Sequence, residues 1–163
     1  MAQNLAIAVP ALLLAGAYIS QYVFGLHPCE MCWWQRWPHF VALGLALLAT
    51  QLQISRPLIL LAALAIAVSG LIGVFHAGVE YDWWEGITGC ATIASSGGGA
   101  LADIMAAPII RCDQAAFRFL TISMAGWNAI ISLGSAVMIW ALLPKRGLKM
   151  RPKMRPKMGG LRR

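Results

Sequence analysis

Four stretches of the chain are almost wholly apolar, and none sustains an alternation of apolar and polar residues. Leu5–Leu26 carries no charge. Trp37–Ile54 is the shortest, Pro57–Gly78 has only His76 as an ionisable group, and Phe119–Leu143 is the fourth. A helix crosses a bilayer core with about 20 mostly apolar residues. Without the period-2 pattern of barrel strands, these runs predict helices. The expected fold class is therefore all-α: an integral membrane four-helix bundle over residues 1–143, followed by a tail over 144–163. Leu5–Leu26 is also open to reading as a signal peptide. It lacks a basic n-region and is longer than an h-region needs, so it is read as a span.

Composition agrees. Of 163 residues, 60% are hydrophobic and 12% charged, too apolar a balance for a soluble domain of this length. The net charge of +7 is concentrated, because nine of the thirteen Lys and Arg residues follow Pro144. The body then carries −2 and the tail +9. A basic tail directly after an apolar run anchors topology and contacts membrane lipid, and no nucleic-acid partner is expected. The positive-inside rule places the tail and an expected tight turn at Ser55-Arg56-Pro57 in the cytoplasm. Both termini are then cytoplasmic, while residues 27–36 and a long loop over 79–118 face outward. Trp33, Trp34, Trp37, Trp83, Trp84 and Trp127 cluster near that outer boundary, as an aromatic belt does. Stacking against a flat ring is a second use for the same side chains.

All four cysteines fall on the outer side, Cys29 and Cys32 in the short loop, Cys90 and Cys112 in the long one. An even number in an oxidising compartment suggests disulfide chemistry. Cys29-Glu30-Met31-Cys32 closes too small a loop to constrain an unfolded chain much. It suits redox cycling, where one thiolate attacks and its neighbour resolves. Helix onset just after Pro28 favours a thiolate through unpaired N–H groups. Cys90 and Cys112 are equally readable as a structural staple. A zinc site is the main rival, but these two lie 22 positions apart and form no second C-x-x-C knuckle. Trp33 stands where haem attachment needs histidine. Arg36, four residues after Cys32, shares its face if the helix has begun. A cation there opposes the positive-inside rule, and it can stabilise both a Cys32 thiolate and negative charge developing on a reduced quinone.

These residues resemble the DsbB family of disulfide-bond-forming membrane proteins. The likeness covers the four spans, the outer C-x-x-C with its arginine, the second cysteine pair, and Cys112-Asp113 through Phe119–Trp127. It implies a bacterial inner-membrane thiol:quinone oxidoreductase. A reduced DsbA-like periplasmic thiol oxidase attacks Cys90–Cys112 and is held on Cys90. Cys112 then exchanges with the Cys29–Cys32 pair at Cys29, and Cys32, beside Arg36, meets the quinone (ubiquinone or menaquinone). His76, Met124 and Trp127 are further quinone-site candidates, each also readable as an interfacial, packing or belt residue. No resident metal is expected. Two departures stand out: Gln35 occupies a position expected to be acidic, and the long loop is shorter between its cysteines. A quinone also meets a thermodynamic need, since a DsbA-type disulfide near about −120 mV is regenerated downhill only by a higher-potential acceptor.

Within the long loop, Ser95-Ser96-Gly97-Gly98-Gly99 predicts a flexible hinge, equally readable as an ordinary linker. Ala100–Ala107 reads as a short membrane-surface helix. Two alternatives remain. One is a vitamin-K-epoxide-reductase-like enzyme, disfavoured because the C-x-x-C follows the first span. The other is a non-enzymatic metal-binding scaffold.

Overall fold

The structure is a computed structural model that describes residues 1–52, 55–87, 92–93 and 109–143. Among them are four helices: α1 (Ala2–Tyr22), α2 (Glu30–Gln51), α3 (Ser55–Glu80) and α4 (Met124–Leu142). Two short antiparallel pairs accompany them. β1 (Thr92–Ile93) pairs with β2 (Ile109–Ile110), and β3 (Arg118–Phe119) pairs with β4 (Ile122–Ser123). Cys90, the expected hinge, the expected surface helix and the basic tail lie outside the described residues.

Helices α1, α3 and α4 are long and apolar enough to cross a membrane, with 21, 26 and 19 residues. Helix α2 matches them in length at 22 residues, but Glu30, Gln35, Arg36 and His39 dilute its apolar character. It nevertheless sits within the bundle, packed chiefly on α3, which in turn packs on α4; α1 lies against α2 and α4.

The packing inverts the pattern of a water-soluble bundle. Ala6, Ala42, Ala46, Ala49, Ala62 and Ala136 are buried with Ile59, Ile66 and Ile139, while Leu60, Leu61, Leu64 and Leu71 point outward. Lipid is as apolar as leucine, so helices gain by close contact through small residues and leave their bulk outside. Gly70 and Gly73 show how close α3 and α4 come. A Cβ on Gly70 would lie 2.8 Å from Leu133 Cγ, and one on Gly73 would lie 3.0 Å from the Ala125 carbonyl oxygen.

Four boundaries differ most from the apolar runs. Helix α2 begins at Glu30, seven residues before Trp37, so residues 30–36 of the expected outer loop are helical. Ser55, Arg56 and Pro57 form the first turn of α3, not a connection. Pro57 is tolerated there because first-turn N–H groups have no helical acceptor. Helix α1 ends at Tyr22, leaving Phe24–Leu26 outside it. The run from Phe119 divides, because Leu120 and Thr121 both adopt positive φ, 51° and 69°, and turn the chain between β3 and β4. Two such residues make the turn that matches hairpin twist, although non-glycine residues adopt it at a cost. Ser123 then caps α4, its hydroxyl accepting from the Gly126 N–H at 3.1 Å.

Candidate active site

Cys29 is the N-cap of α2, with its sulfur accepting the Cys32 N–H at 3.3 Å. The cap therefore brings the two cysteines together, with sulfurs 2.9 Å apart. Both precede the apolar part of the helix. The bond to Cys32, then burial, push the Cys29 thiol up from its ordinary value. The same bond, helped by the Arg36 charge, pulls Cys32 down. Cys29 is thus the donor and Cys32 the acceptor of the bond between the sulfurs. Cys112 is buried in the same apolar cluster as Cys29, Met31 and Val79, so three segments separated by 33 or more positions in sequence converge here.

Arg36 is 6% exposed. Its Nη1 donates to Gln21 Oε1 at 2.7 Å and its Nη2 to the Ala17 carbonyl at 3.3 Å, both on α1. Its guanidinium carbon lies 4.9 Å from the Trp33 ring centroid and 5.0 Å from that of Tyr18. Among the described residues no carboxylate forms a salt bridge with it. A buried cation held only by neutral groups and π faces remains a site for developing negative charge.

Behind the cysteines runs a buried polar chain. Gln35 Nε2 donates to the Met31 carbonyl at 3.3 Å and to His76 Nδ1 at 2.8 Å. Gln35 Oε1 accepts from Asn128 Nδ2 at 2.8 Å, and that nitrogen also donates to the Ser69 carbonyl at 3.3 Å. Asn128 Oδ1 faces His39 Nε2 at 3.0 Å and accepts from the Ser132 hydroxyl at 3.0 Å. Backbone carbonyls accept only, so Met31 and Ser69 orient both amides. The amides in turn place the proton of each histidine on Nε2.

For His76 that N–H lies 3.6 Å from Cys29 Sγ and 3.7 Å from Glu80 Oε1. The ligand atoms of Cys29, Cys32 and His76 fall within 4.8 Å of one another, a spacing compatible with a metal. The oriented Gln35 argues for another use: a metal needs the Nε2 lone pair, and Gln35 leaves a proton there.

A cavity of about 600 Å³ opens between α1, the starts of α2 and α4, and residues 111–117. Cys32, Arg36, His39, Met124, Trp127 and Asn128 all contribute to its wall. The β3–β4 hairpin positions the α4 side. Tyr81 donates its hydroxyl to the Thr121 carbonyl at 3.0 Å and accepts the Ser123 N–H at 3.3 Å. Trp127 Nε1 donates to the Phe119 carbonyl at 3.1 Å. At the rim, Arg111 forks onto Asp113 through Nε and Nη2 and holds that carboxyl below the usual carboxylate range.

Seven of the eight expected site residues are therefore described: Cys29, Cys32, Arg36, His76, Met124 and Trp127 line the cavity, and Cys112 is buried beside Cys29; Cys90 is the eighth. Gln35, His39, Ser69 and Asn128 were not expected as site residues. A signal existed for part of this: Cys32, Gln35, Arg36 and His39 fall at i, i+3, i+4 and i+7, a polar face inside a segment otherwise fit for lipid.

The family model for disulfide bond formation protein DsbB matches residues 1–142. A similar curated protein is "Uncharacterized protein RP370" of Rickettsia prowazekii (strain Madrid E), 26% identical over 147 residues, covering 84% of this chain and 83% of that protein. No solved structure matches the chain.

Proposed function

The chain belongs to the DsbB family of disulfide-bond-forming membrane proteins, and from that premise we propose that it is a thiol:quinone oxidoreductase reoxidising a DsbA-like dithiol protein. The observation that carries this reading is the buried Arg36, without a carboxylate partner among the described residues, on the wall that also holds Cys32. A cavity of about 600 Å³ lies within the range typical of small-molecule sites, roughly 300–1,000 Å³. Its residues fit a quinone: apolar walls for the ring, Trp127 and Met124 beside it, and Arg36 for a polar oxygen. When bound, a quinone accepts two electrons and two protons.

The residues divide that work. The partner's thiolate attacks Cys90 of a Cys90–Cys112 disulfide, and Cys112 leaves as thiolate. Cys112 then attacks Cys29 of the Cys29–Cys32 disulfide, and the Cys32 sulfur carries the released charge. The burial of Cys112 beside Cys29 supports this order. Arg36 favours the Cys32 thiolate and orients the acceptor. The partner's second thiol then displaces Cys90, whose thiolate attacks Cys112 and releases Cys29, so the Cys90–Cys112 disulfide re-forms and Cys29 and Cys32 are left reduced. Overall, one partner dithiol becomes a disulfide and one quinone becomes a quinol. We further place the cysteines on the periplasmic side of a bacterial inner membrane, with both termini in the cytoplasm, as the positive-inside rule indicates.

Purified protein, a reduced DsbA-like partner and ubiquinone, followed by quinone absorbance, test the proposal. Cys29→Ser and Cys32→Ser are expected to abolish turnover, and Cys112→Ser, mixed with the oxidised partner, to accumulate an adduct in which the Cys90 thiolate has displaced one partner cysteine. Normal turnover in all four single serine variants would sink the relay. Stoichiometric zinc in the purified protein, with no quinone reduction, would favour a metal-binding scaffold instead.

A further inference from the structure

We propose that His39 makes the quinone cavity selective for oxidation state, its Nδ1 accepting a hydrogen bond from a quinol hydroxyl that the oxidised ring does not have. The inference rests on the quinone reading above.

His39 is 3% exposed and contributes to the cavity wall. Its Nε2–H is committed: it faces Asn128 Oδ1 at 3.0 Å and the Ser69 hydroxyl oxygen at 2.9 Å, whose own proton goes to the Gln35 carbonyl at 2.8 Å. That leaves Nδ1 as a bare lone pair, and this atom is buried without a hydrogen-bond partner among the described residues. Buried acceptors are almost always satisfied, so an orphan on a residue that lines the cavity marks where a donor belongs.

Position says which donor. His39 follows Cys32 by seven residues and Arg36 by three, on one face of α2. At 1.5 Å per residue, Cys32 and His39 are separated by about 10 Å along the helix, room for one ring with a polar partner at each end. With Cys32 and Arg36 at one oxygen, His39 lies toward the other. A quinone carbonyl there would set lone pair against lone pair. A quinol hydroxyl would donate into the vacancy.

The electron and proton count is unchanged. Cys29 and Cys32 together lose two electrons and two protons as their disulfide forms, and the quinone gains both as it becomes quinol. His39 ends as it began, having stabilised the product side only.

The test measures binding in full-length protein carrying Cys29→Ser and Cys32→Ser, so that no electrons move. Short-chain ubiquinone and its quinol are each titrated by calorimetry. Adding His39→Leu is expected to leave the quinone dissociation constant within about twofold and to weaken quinol about tenfold. That ratio corresponds to about 30 mV in the two-electron potential of the bound pair. Equal weakening of both ligands, or no change in either, would overturn the proposal. As a check that needs no His39 variant, ¹⁵N-histidine spectra of the same background should show the His39 Nδ1 resonance moving with quinol and not with quinone. Identical shifts with both would also overturn it. Failure of both ligands to bind at all would instead remove the quinone reading itself.

Discussion

Around Ala46, Ala62 and Ala136 the helices meet through methyl groups, whereas around Gln35, Ser69 and Asn128 the same helices meet through hydrogen bonds. The first region has no polar atom to orient, so what it demands is volume: small side chains inside and leucines outside. The second region demands direction. Two backbone carbonyls fix two amides, the amides fix two imidazoles, and the imidazoles present a proton to Cys29 and a lone pair at His39. One set of four helices thus holds a packed anchor and an oriented polar site.

The largest effect that separates these regions is expected at Cys32. Cys32→Ser should lower quinone reduction by at least about 1,000-fold, as loss of an essential reacting group does. Its thermal unfolding midpoint should stay near that of the parent. A comparable loss of stability would mean that the polar region also acts as the anchor.

Arg36→Ala comes next. Hydrogen bonds to charged groups contribute about 1.5–3 kcal/mol, so the quinone KM should rise by roughly 10- to 100-fold. An unchanged KM and rate would take Arg36 out of the site.

In the packed region, Ala62→Leu should cost about 1–3 kcal/mol by overpacking, read from unfolding in a mild detergent–denaturant series. The pH profile of Cys32 alkylation should not move. Gln35→Leu should do the reverse. Its stability loss, about 1–3 kcal/mol from leaving His76 Nδ1 without its donor and Asn128 without one of its acceptors, should come with a changed His76 tautomer in ¹⁵N spectra. If Ala62→Leu disturbs the thiols as much as Gln35→Leu does, the division between regions fails.

The smallest expected effect is a shift in that alkylation profile. Cys32 is held below the ordinary thiol range and Cys29 above it. As pH rises from acid, Cys32 should therefore gain reactivity toward iodoacetamide before a free thiol does, and Cys29 only after. Arg36→Met removes one of the causes that lower Cys32, so the Cys32 midpoint should move upward. A profile that moves downward would contradict the assigned direction.

Much of the packed region was legible in the sequence, because it depends on apolar run length, which is a local property. The same holds for the Cys29–Cys32 pair and for Arg36, which spacing alone puts one helical turn beyond Cys32. The boundaries at Phe119 and Ser55 were less legible. A hairpin with Leu120 and Thr121 at positive φ has no glycine or asparagine to announce it. Asn128 illustrates the deeper limit: alone in an apolar run it reads as a polar interruption, and only its contacts with Gln35 and Ser69 give it a task. Gln35 departs from an expected acid, yet its neutral amide is what allows it to donate to His76 and accept from Asn128 at once.

A single anaerobic turnover tests the central claim most directly. Reduced protein carrying Cys90→Ser and Cys112→Ser is mixed with one equivalent of ubiquinone, quinol is quantified, and the remaining thiols are mapped by alkylation and peptide mass. The account predicts one quinol formed for each pair of thiols lost, with the loss at Cys29 and Cys32. Quinol formation while both of these cysteines remain alkylatable would contradict it.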